Sequence, residues 1–257
     1  MELLTWGIIL GIIFISGIVK GTTGFGFALF SLPLLVHFIP IKTLIPIITL
    51  FNLFSSVQII IQSHGLKLNK PLIFLSVMGT IGVFSGTLIL KYLPDHKLKL
   101  LCAVVLIILS IMFLTGYRFK IRKLRRGNAI AGFISGFLGG SLSVSGPPLA
   151  LFLTSLKLDT KNFRFTFAWF SIITAFIAII DYVKIGLVHL NTFKIFIISL
   201  PVLLISVQTG KLLNKKLSVT LFYKGVVIIT LLAGILLLIS CLRDCLPGSF
   251  FLLRNAG

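Results

Sequence analysis

The chain has 257 residues, of which 57% are hydrophobic and only 11% are charged. An ordinary soluble domain has about 45–50% apolar and about 25% charged residues, so this composition excludes an ordinary soluble protein and a disordered one. The net charge is +19, but the basic residues fall mostly between apolar runs, as they do in the loops of membrane proteins, and nucleic acid is therefore not expected as a partner.

Ten apolar runs of helix length follow one another along the chain, five before and five after a basic stretch at Tyr117–Gly127 that holds six Lys and Arg residues. Short loops with such an excess of Lys and Arg are typically cytoplasmic, and we predict this location for the stretch. The first set of runs is Leu3–Val19, Phe25–Ile39, Thr43–Gln62, Pro71–Leu93 and Leu98–Gly116, and the second is Asn128–Leu138, Pro148–Leu156, Asn162–Val183, Phe193–Leu213 and Leu217–Leu242.

The two sets resemble each other at an offset of 119 residues. Ile15–Gly17 recurs as Ile134–Gly136, and the same offset carries the start of the third run, Thr43, to the start of the eighth, Asn162. Agreement of a motif and of run starts at one offset predicts an internal repeat. The predicted organisation is a first transmembrane repeat at 1–116, a basic linker at 117–127, a second repeat at 128–242 and a short C-terminal tail at 243–257.

Each repeat is interrupted near its beginning by a stretch rich in Gly, Ser, Thr or Pro, at Lys20–Gly26 and at Gly139–Pro148. Gly permits unusual backbone angles, and Pro stops a helix. Unpaired backbone groups are too costly to face lipid, so both interruptions are expected to meet inside the bundle, around a small polar chamber. Paired interruptions of this kind point to a secondary transporter.

The interrupted segments carry a family resemblance. Gly17–Phe27 followed by Leu32–Leu35 resembles the first-repeat motif of the TauE/SafE family, and Gly132–Gly140 followed by Ser145–Pro148 resembles its second-repeat motif. The resemblance implies an all-α, polytopic inner-membrane protein with about eight transmembrane segments in two homologous repeats, each with a broken or re-entrant first segment. It also implies export or import of small anions such as sulfite and organosulfonates.

The candidate substrate-binding residues follow from the interruptions. Hydroxyls, helix N-termini and one rare intramembrane cation suit an anion. The alternatives are that Lys20 extends to an interface or pairs with Asp181, that the hydroxyls cap or pack helices, and that Arg164 only sets topology. The candidates are Lys20, Gly21, Thr22, Thr23, Gly24 and Gly26 in the first interruption, Ser141, Ser143, Ser145, Gly146 and Pro147 in the second, and Asn162 and Arg164 after it.

Asp181 ends an apolar run and is a candidate for coupling transport to protons, with a simple ion pair to Lys184 as the alternative. The sequence has no phosphate-binding loop and no His spacing typical of a metal site, so no cofactor is expected.

The predicted function is secondary transport of small anions across the inner membrane by a protein that is not an enzyme. The alternatives are an anion channel, a membrane-embedded enzyme and a structural or assembly protein. Lipid and a small anion are the expected partners, and the coupling ion, proton or sodium, and homo-oligomerisation are left open.

Overall fold

The computed structural model describes residues 2–61, 70–116, 124–156, 158–213 and 219–245, and within them it consists of ten helices without a strand. Seven of these helices, α1, α3, α4, α5, α8, α9 and α10, are long and apolar enough to cross a membrane. The predicted all-helical membrane bundle is thus confirmed. The helices are α1 (Glu2–Thr23), α2 (Phe27–Leu35), α3 (Ile41–Ile61), α4 (Lys70–Tyr92), α5 (Asp95–Leu114), α6 (Leu124–Leu142), α7 (Gly146–Ser155), α8 (Thr160–Lys184), α9 (Leu190–Leu213) and α10 (Val219–Cys245).

The predicted linker and tail overlap helices. Residues 124–127 form the first turn of α6, while 117–123 lie outside the described residues. Residues 243–245 belong to α10, and 246–257 again lie outside the described part of the chain. The predicted count of about eight segments, the boundaries of the repeats and the cytoplasmic location of the basic stretch stay predictions.

Two helix interruptions fall inside the two stretches rich in small residues, and they are narrower than the sequence suggested. Helix α1 continues through Lys20 and ends at Thr23, and α6 ends at Leu142. The residue after each end is left-handed, Gly24 with φ 88° and Ser143 with φ 59°. Their N–H groups donate to the carbonyls of Lys20 and Gly139 at 2.7 and 2.9 Å, which is how a left-handed cap satisfies the last carbonyls of a helix.

The interrupted helices are braced by close helix pairs, α1 against α9 and α6 against α4. A Cβ atom placed on Gly136 of α6 would lie 1.9 Å from the carbonyl oxygen of Gly79 in α4, and one on Gly21 of α1 would lie 2.2 Å from the carbonyl oxygen of Val207 in α9. Small residues at such crossings let two backbones approach within van der Waals contact, which is a main source of helix association in lipid.

Helix α4 shows how the bundle meets its surroundings. Its glycine face packs on α6, and the opposite face exposes large apolar side chains at helical spacing. Exposed contiguous apolar surface of this kind is unfavourable in water and fits lipid. The exposed residues are Ile73, Val77, Ile81, Phe84 and Leu88.

The interior holds α3 and the two short helices. Helix α3 is the most buried of the seven long helices, and it lies beside α8. Helices α2 and α7 are apolar around their whole circumference and almost entirely buried, as expected for helices with no face toward solvent. The two interruptions therefore open toward the middle of α3.

Candidate functional site

Lys20 is buried at the end of α1 beside the middle of α3. It is 1% exposed, and its Nζ donates to the backbone oxygen of Asn52 at 3.1 Å, to Asn52 Oδ1 at 3.0 Å and to Ser56 Oγ at 3.0 Å. In the part of the chain that the structure describes, no carboxylate lies within 4.0 Å of this ammonium. Lys20 thus has hydrogen-bond acceptors but, among the residues described, no carboxylate partner.

Asn52 connects the first interruption to the second. While its Oδ1 accepts from Lys20, its Nδ2 faces Ser143, 3.3 Å from the hydroxyl and 3.4 Å from the backbone oxygen. The hydroxyl of Thr49, one turn earlier in α3, lies 2.9 Å from Ser143 Oγ and 2.9 Å from the carbonyl oxygen of Ile45, and it donates to one of them. A positive charge on one side of the Asn52 amide polarises its N–H groups on the other side, which strengthens them as donors to an anion.

Two small cavities lie where the interruptions meet. Each has a volume of about 10 Å³, close to what one water molecule needs. Asn52, Ser143, Ser145 and Ser171 line both cavities. The interruptions touch here, because a Cβ atom on Gly146 would lie 3.7 Å from the backbone nitrogen of Gly26.

The N-termini of α2 and α7 converge on the second of these cavities, which Gly26, Ser145 and Gly146 line. Neither N-cap residue, Gly26 or Ser145, caps its helix with a side chain. The N-terminus of a helix is a binding site for anions, because its dipole is positive there and its first N–H groups lack helical partners. Pro147 and Pro148 have no N–H, so the Gly146 N–H and the neighbouring serine hydroxyls are the donors available on the α7 side.

Three predicted hydroxyls point elsewhere in this conformation. Thr22 donates to the carbonyl of Ile18 or Val19, and Ser141 to that of Phe137. Thr23 donates to a carbonyl, Val19 or Phe25, and also accepts from the Phe25 N–H at 3.2 Å.

Side chains of Ser and Thr often bond to the carbonyl one turn back in a helix, and these three follow that rule. Of the predicted hydroxyls, Ser143 and Ser145 are therefore the ones that face the cavities. Among the predicted glycines, Gly21 packs on α9, and Gly24 supplies the left-handed turn.

The Arg164 guanidinium lies at the end of α1, whereas the Asn162 side chain lies at the start of α8. Arg164 Nη2 donates to the carbonyl of Gly21 at 2.9 Å, so its positive charge lies at the C-terminal end of α1, where the helix dipole favours it. Asn162 lies in the first turn of α8, and its side-chain and backbone nitrogens both donate to Asp159. These hydrogen bonds hold the pKa of the exposed Asp159 carboxyl below its ordinary value.

Asn162 also lines a larger cavity of about 410 Å³, which opens between the N-terminal ends of α4, α6 and α8. Thr166, Asn128 and several leucines complete its lining. Along α8, Thr166 faces this cavity, while Phe167 and Ser171 face the small cavity between the interruptions. The rings of Phe25, Phe163 and Phe167 pack between the two regions with centroid distances of 5.5 to 6.3 Å.

Asp181 is buried and bonded to a neighbouring helix. Its Oδ2 lies 3.3 Å from the Thr87 hydroxyl of α4, which donates either to it or to the carbonyl of Phe84 at 3.0 Å, and the residue is 8% exposed. The next residue, Tyr182, is fully buried and donates to the carbonyl of Gly140, at 2.8 Å. Asp181 thus lies next to a residue that holds the carbonyl end of α6.

Sequence reasoning missed Asn52, Thr49 and Ser171, which line the cavities, and Tyr182, which holds the end of α6. The available signal was weak. Asn52 is the only amide in the described span of α3 besides Gln58, and a polar residue inside an apolar span is a functional candidate. Its partners Lys20 and Ser143 are 32 and 91 residues away, and no local motif connects them.

Long apolar helices with exposed apolar faces, arranged around two interrupted helices, define a polytopic integral membrane protein. The family model described as "Sulfite exporter TauE/SafE" matches residues 9–237. The chain belongs to this family, whose members are transporters rather than enzymes, and the sequence resemblance is confirmed. Comparisons with curated proteins and with solved structures gave no match.

Proposed function

We propose that this protein is a secondary transporter that moves small anions, such as sulfite, sulfonates or related organic anions, across the inner membrane, and that the anion binds between the two interruptions. The observation that carries the proposal is the convergence of two helix N-termini, α2 and α7, on an amide polarised by the buried Lys20 ammonium. An anion in a low-dielectric interior needs donors and a compensating charge, because an unpaired buried charge is prohibitively costly.

In this site, the Asn52 amide and the hydroxyls of Ser143, Ser145 and Ser171 donate to the anion. Lys20 acts through Asn52, because all three of its N–H groups are used by Asn52 and Ser56. The donors that contact the anion carry no charge of their own, and the Lys20 charge lies behind Asn52. Such a site can bind an anion without trapping it, and transport requires release as well as binding.

The anion needs more space than the structure offers. A cavity of about 10 Å³ holds about one water molecule, so the structure supports a closed conformation in which the interruptions are in contact. Transport then requires the interruptions to separate, as in the movement of one repeat against the other that gives alternating access.

The larger cavity of about 410 Å³ is the entrance that we propose for the anion. The N-terminal ends of α4, α6 and α8 surround it together with the C-terminal end of α7, and the first turns of α4, α6 and α8 carry Lys70, Arg125, Arg126 and Lys161. Positive dipole ends and basic side chains attract anions to such a mouth. The Phe25, Phe163 and Phe167 rings would close the path between the entrance and the binding site.

The matched helix bounds support two homologous repeats. An offset of 119 residues relates the ends of α1 and α6, the starts of α2 and α7, and the starts of α3 and α8, Ile41 and Thr160. The packing of α1 on α9 matches that of α6 on α4. Asp181, bonded to Thr87 beside the interruption of α6, is the residue we propose for proton coupling.

The proposal is tested with purified protein in liposomes, by measuring initial rates for a panel of sulfite, alkyl sulfonates and carboxylates, with choline as a cation control. We expect saturable flux of one or more anions and none of choline. Unsaturable anion currents would favour the channel, and the absence of flux for every anion would contradict the proposal.

The matched pair of variants is Ser143→Ala, inside the site, and Ser110→Ala, in α5. The Ser110 hydroxyl is buried and, within the described residues, has no hydrogen-bond partner, so its removal leaves no acceptor or donor unpaired. We expect loss of flux for Ser143→Ala and wild-type flux for Ser110→Ala.

A further inference from the structure

The Lys20 ammonium lies in a cage of three neutral oxygens of different kinds. They are the backbone carbonyl of Asn52, its side-chain amide oxygen and the hydroxyl of Ser56, at 3.0 to 3.1 Å. An ammonium has three N–H donors, so the cage satisfies it completely. Both partner residues belong to α3, one turn apart, and Ser56 is fully buried.

This set of oxygens is also a ligand set for a small free cation. Hard cations take carbonyl, amide and hydroxyl oxygens, and transporters hold coupling cations with backbone carbonyls beside interrupted helices. The described residues place no carboxylate within 4.0 Å of the Nζ atom, and a site of neutral oxygens suits a monovalent ion better than a divalent one.

We infer that the oxygen cage of Asn52 and Ser56 is a monovalent-cation site that the ammonium of Lys20 fills. The cation beside the anion is therefore part of the chain, and no sodium ion binds at this place during transport. The role in transport rests on the proposed function, whereas the occupancy of the cage does not. Proton coupling through Asp181 is a separate matter, because that residue is bonded to α4.

Variants that shorten the Lys20 side chain test whether the cage binds a free cation. Lys20→Ala would leave a buried space at the cage, with acceptors that have lost their donors, and unpaired buried acceptors are costly. A free ammonium, methylammonium or sodium ion can enter that space and restore the interactions. Lys20→Met is the matched control, since it also lacks the charge but fills the space with an apolar chain of similar length.

The test measures the unfolding temperature of the full chain in detergent, in chloride salts of sodium, potassium, ammonium and methylammonium, with choline chloride at equal ionic strength as the reference. For Lys20→Ala we expect a rise of about 5 °C with at least one small cation, the shift for a ligand near a hundred times its Kd, and the rise should grow with the logarithm of the cation concentration. The wild type and Lys20→Met are expected to show none. Adding Ser56→Ala to Lys20→Ala removes one oxygen and is expected to weaken the response at least tenfold in cation concentration.

A Lys20→Ala protein that responds no more than Lys20→Met would overturn the inference, and so would a wild type that responds as strongly as Lys20→Ala. Should Lys20→Ala not fold, Lys20→Ser is measured in the same salts against Lys20→Met, with a cation response expected and its absence overturning the inference. The unfolding measurement contains no transported anion. If the proposed transport function is wrong, this measurement still tests whether the cage holds a cation.

Discussion

Gly24 and Ser143 adopt the same left-handed backbone conformation, each as the first residue after an interrupted helix and 119 positions apart. Gly adopts this conformation without steric cost, whereas a residue with a Cβ atom is strained by about 1–2 kcal/mol. Ser143 is thus a strained residue whose hydroxyl bonds to Thr49 and faces Asn52. Strain that persists at such a position is typical of a functional site.

The first prediction separates the strain at Ser143 from its hydroxyl. Ser143→Gly and Ser143→Ala lose the same hydrogen bonds, but only the alanine variant keeps the strain. We expect the glycine variant to be the more stable of the two, by about 1 kcal/mol, and both to lose anion flux. Chemical unfolding and liposome flux measure the two effects. An alanine variant as stable as the glycine variant would contradict the strain, and wild-type flux in either would contradict the role of the hydroxyl.

The second prediction concerns the close crossing of α4 and α6. Gly136→Ala places a Cβ atom 1.9 Å from the Gly79 carbonyl oxygen, so the helices must separate, and we expect a loss of about 2 kcal/mol or more, as for overpacked cores. Gly11→Ala is the matched control, because nothing lies within 4 Å of its Cβ position. Alanine in a helix is favoured there by about 1 kcal/mol. Equal unfolding temperatures for the two variants would contradict the close contact between α4 and α6 at Gly136.

The third prediction concerns a variant that fills the space between the interruptions without strain. A Cβ atom on Gly146 would lie 3.5 Å from Phe167 and 3.7 Å from Gly26, which is ordinary contact. We therefore expect Gly146→Ala to keep the wild-type unfolding temperature and to slow anion flux, because the methyl group occupies the place of the anion. Flux in liposomes at matched protein content measures this. Unchanged flux would place the anion elsewhere.

The fourth prediction concerns Asp181. Asp181→Asn keeps an acceptor for the Thr87 hydroxyl but cannot exchange a proton. We expect anion accumulation driven by a pH gradient to be lost while exchange of anion for anion continues. Asp95→Asn is the control, since that residue is half exposed and its 3.8 Å pair with Lys42 is a surface ion pair of little energetic weight. Accumulation that survives in Asp181→Asn would exclude this residue from coupling.

Much of the fold could be predicted from the sequence because apolar runs and breakers act locally. The run Thr43–Gln62 and the helix Ile41–Ile61 differ by two residues at the start and one at the end, since length and apolarity decide a spanning helix. The glycine-rich stretches marked both interruptions. Their true extent depends on which residues turn left-handed, namely Gly24 and Gly26 in the first interruption and Ser143, which is not glycine, in the second.

The site could be predicted only in part, because its geometry depends on contacts between distant segments. Lys20 and Ser143 were chosen for their chemistry, but Asn52, which links them, stands in a run that looks like an ordinary span. Conversely, Thr22 and Thr23 were chosen for their place in the interruption, and their hydroxyls bond to carbonyls nearby in the chain. A helix that continues four residues further than the predicted run, from Val19 to Thr23, accounts for this difference.

The central claim, that an anion binds beside an amide polarised by Lys20, is tested most directly by initial anion flux through Asn52→Asp in liposomes at matched protein content. The substitution preserves size, pairs a carboxylate with the Lys20 ammonium 3.0 Å away and replaces the N–H donors with oxygens that repel an anion. We expect flux to fall about tenfold or more, the loss for a charge-assisted hydrogen bond of about 1.5–3 kcal/mol, with the protein still folded. Wild-type flux in Asn52→Asp would contradict the account.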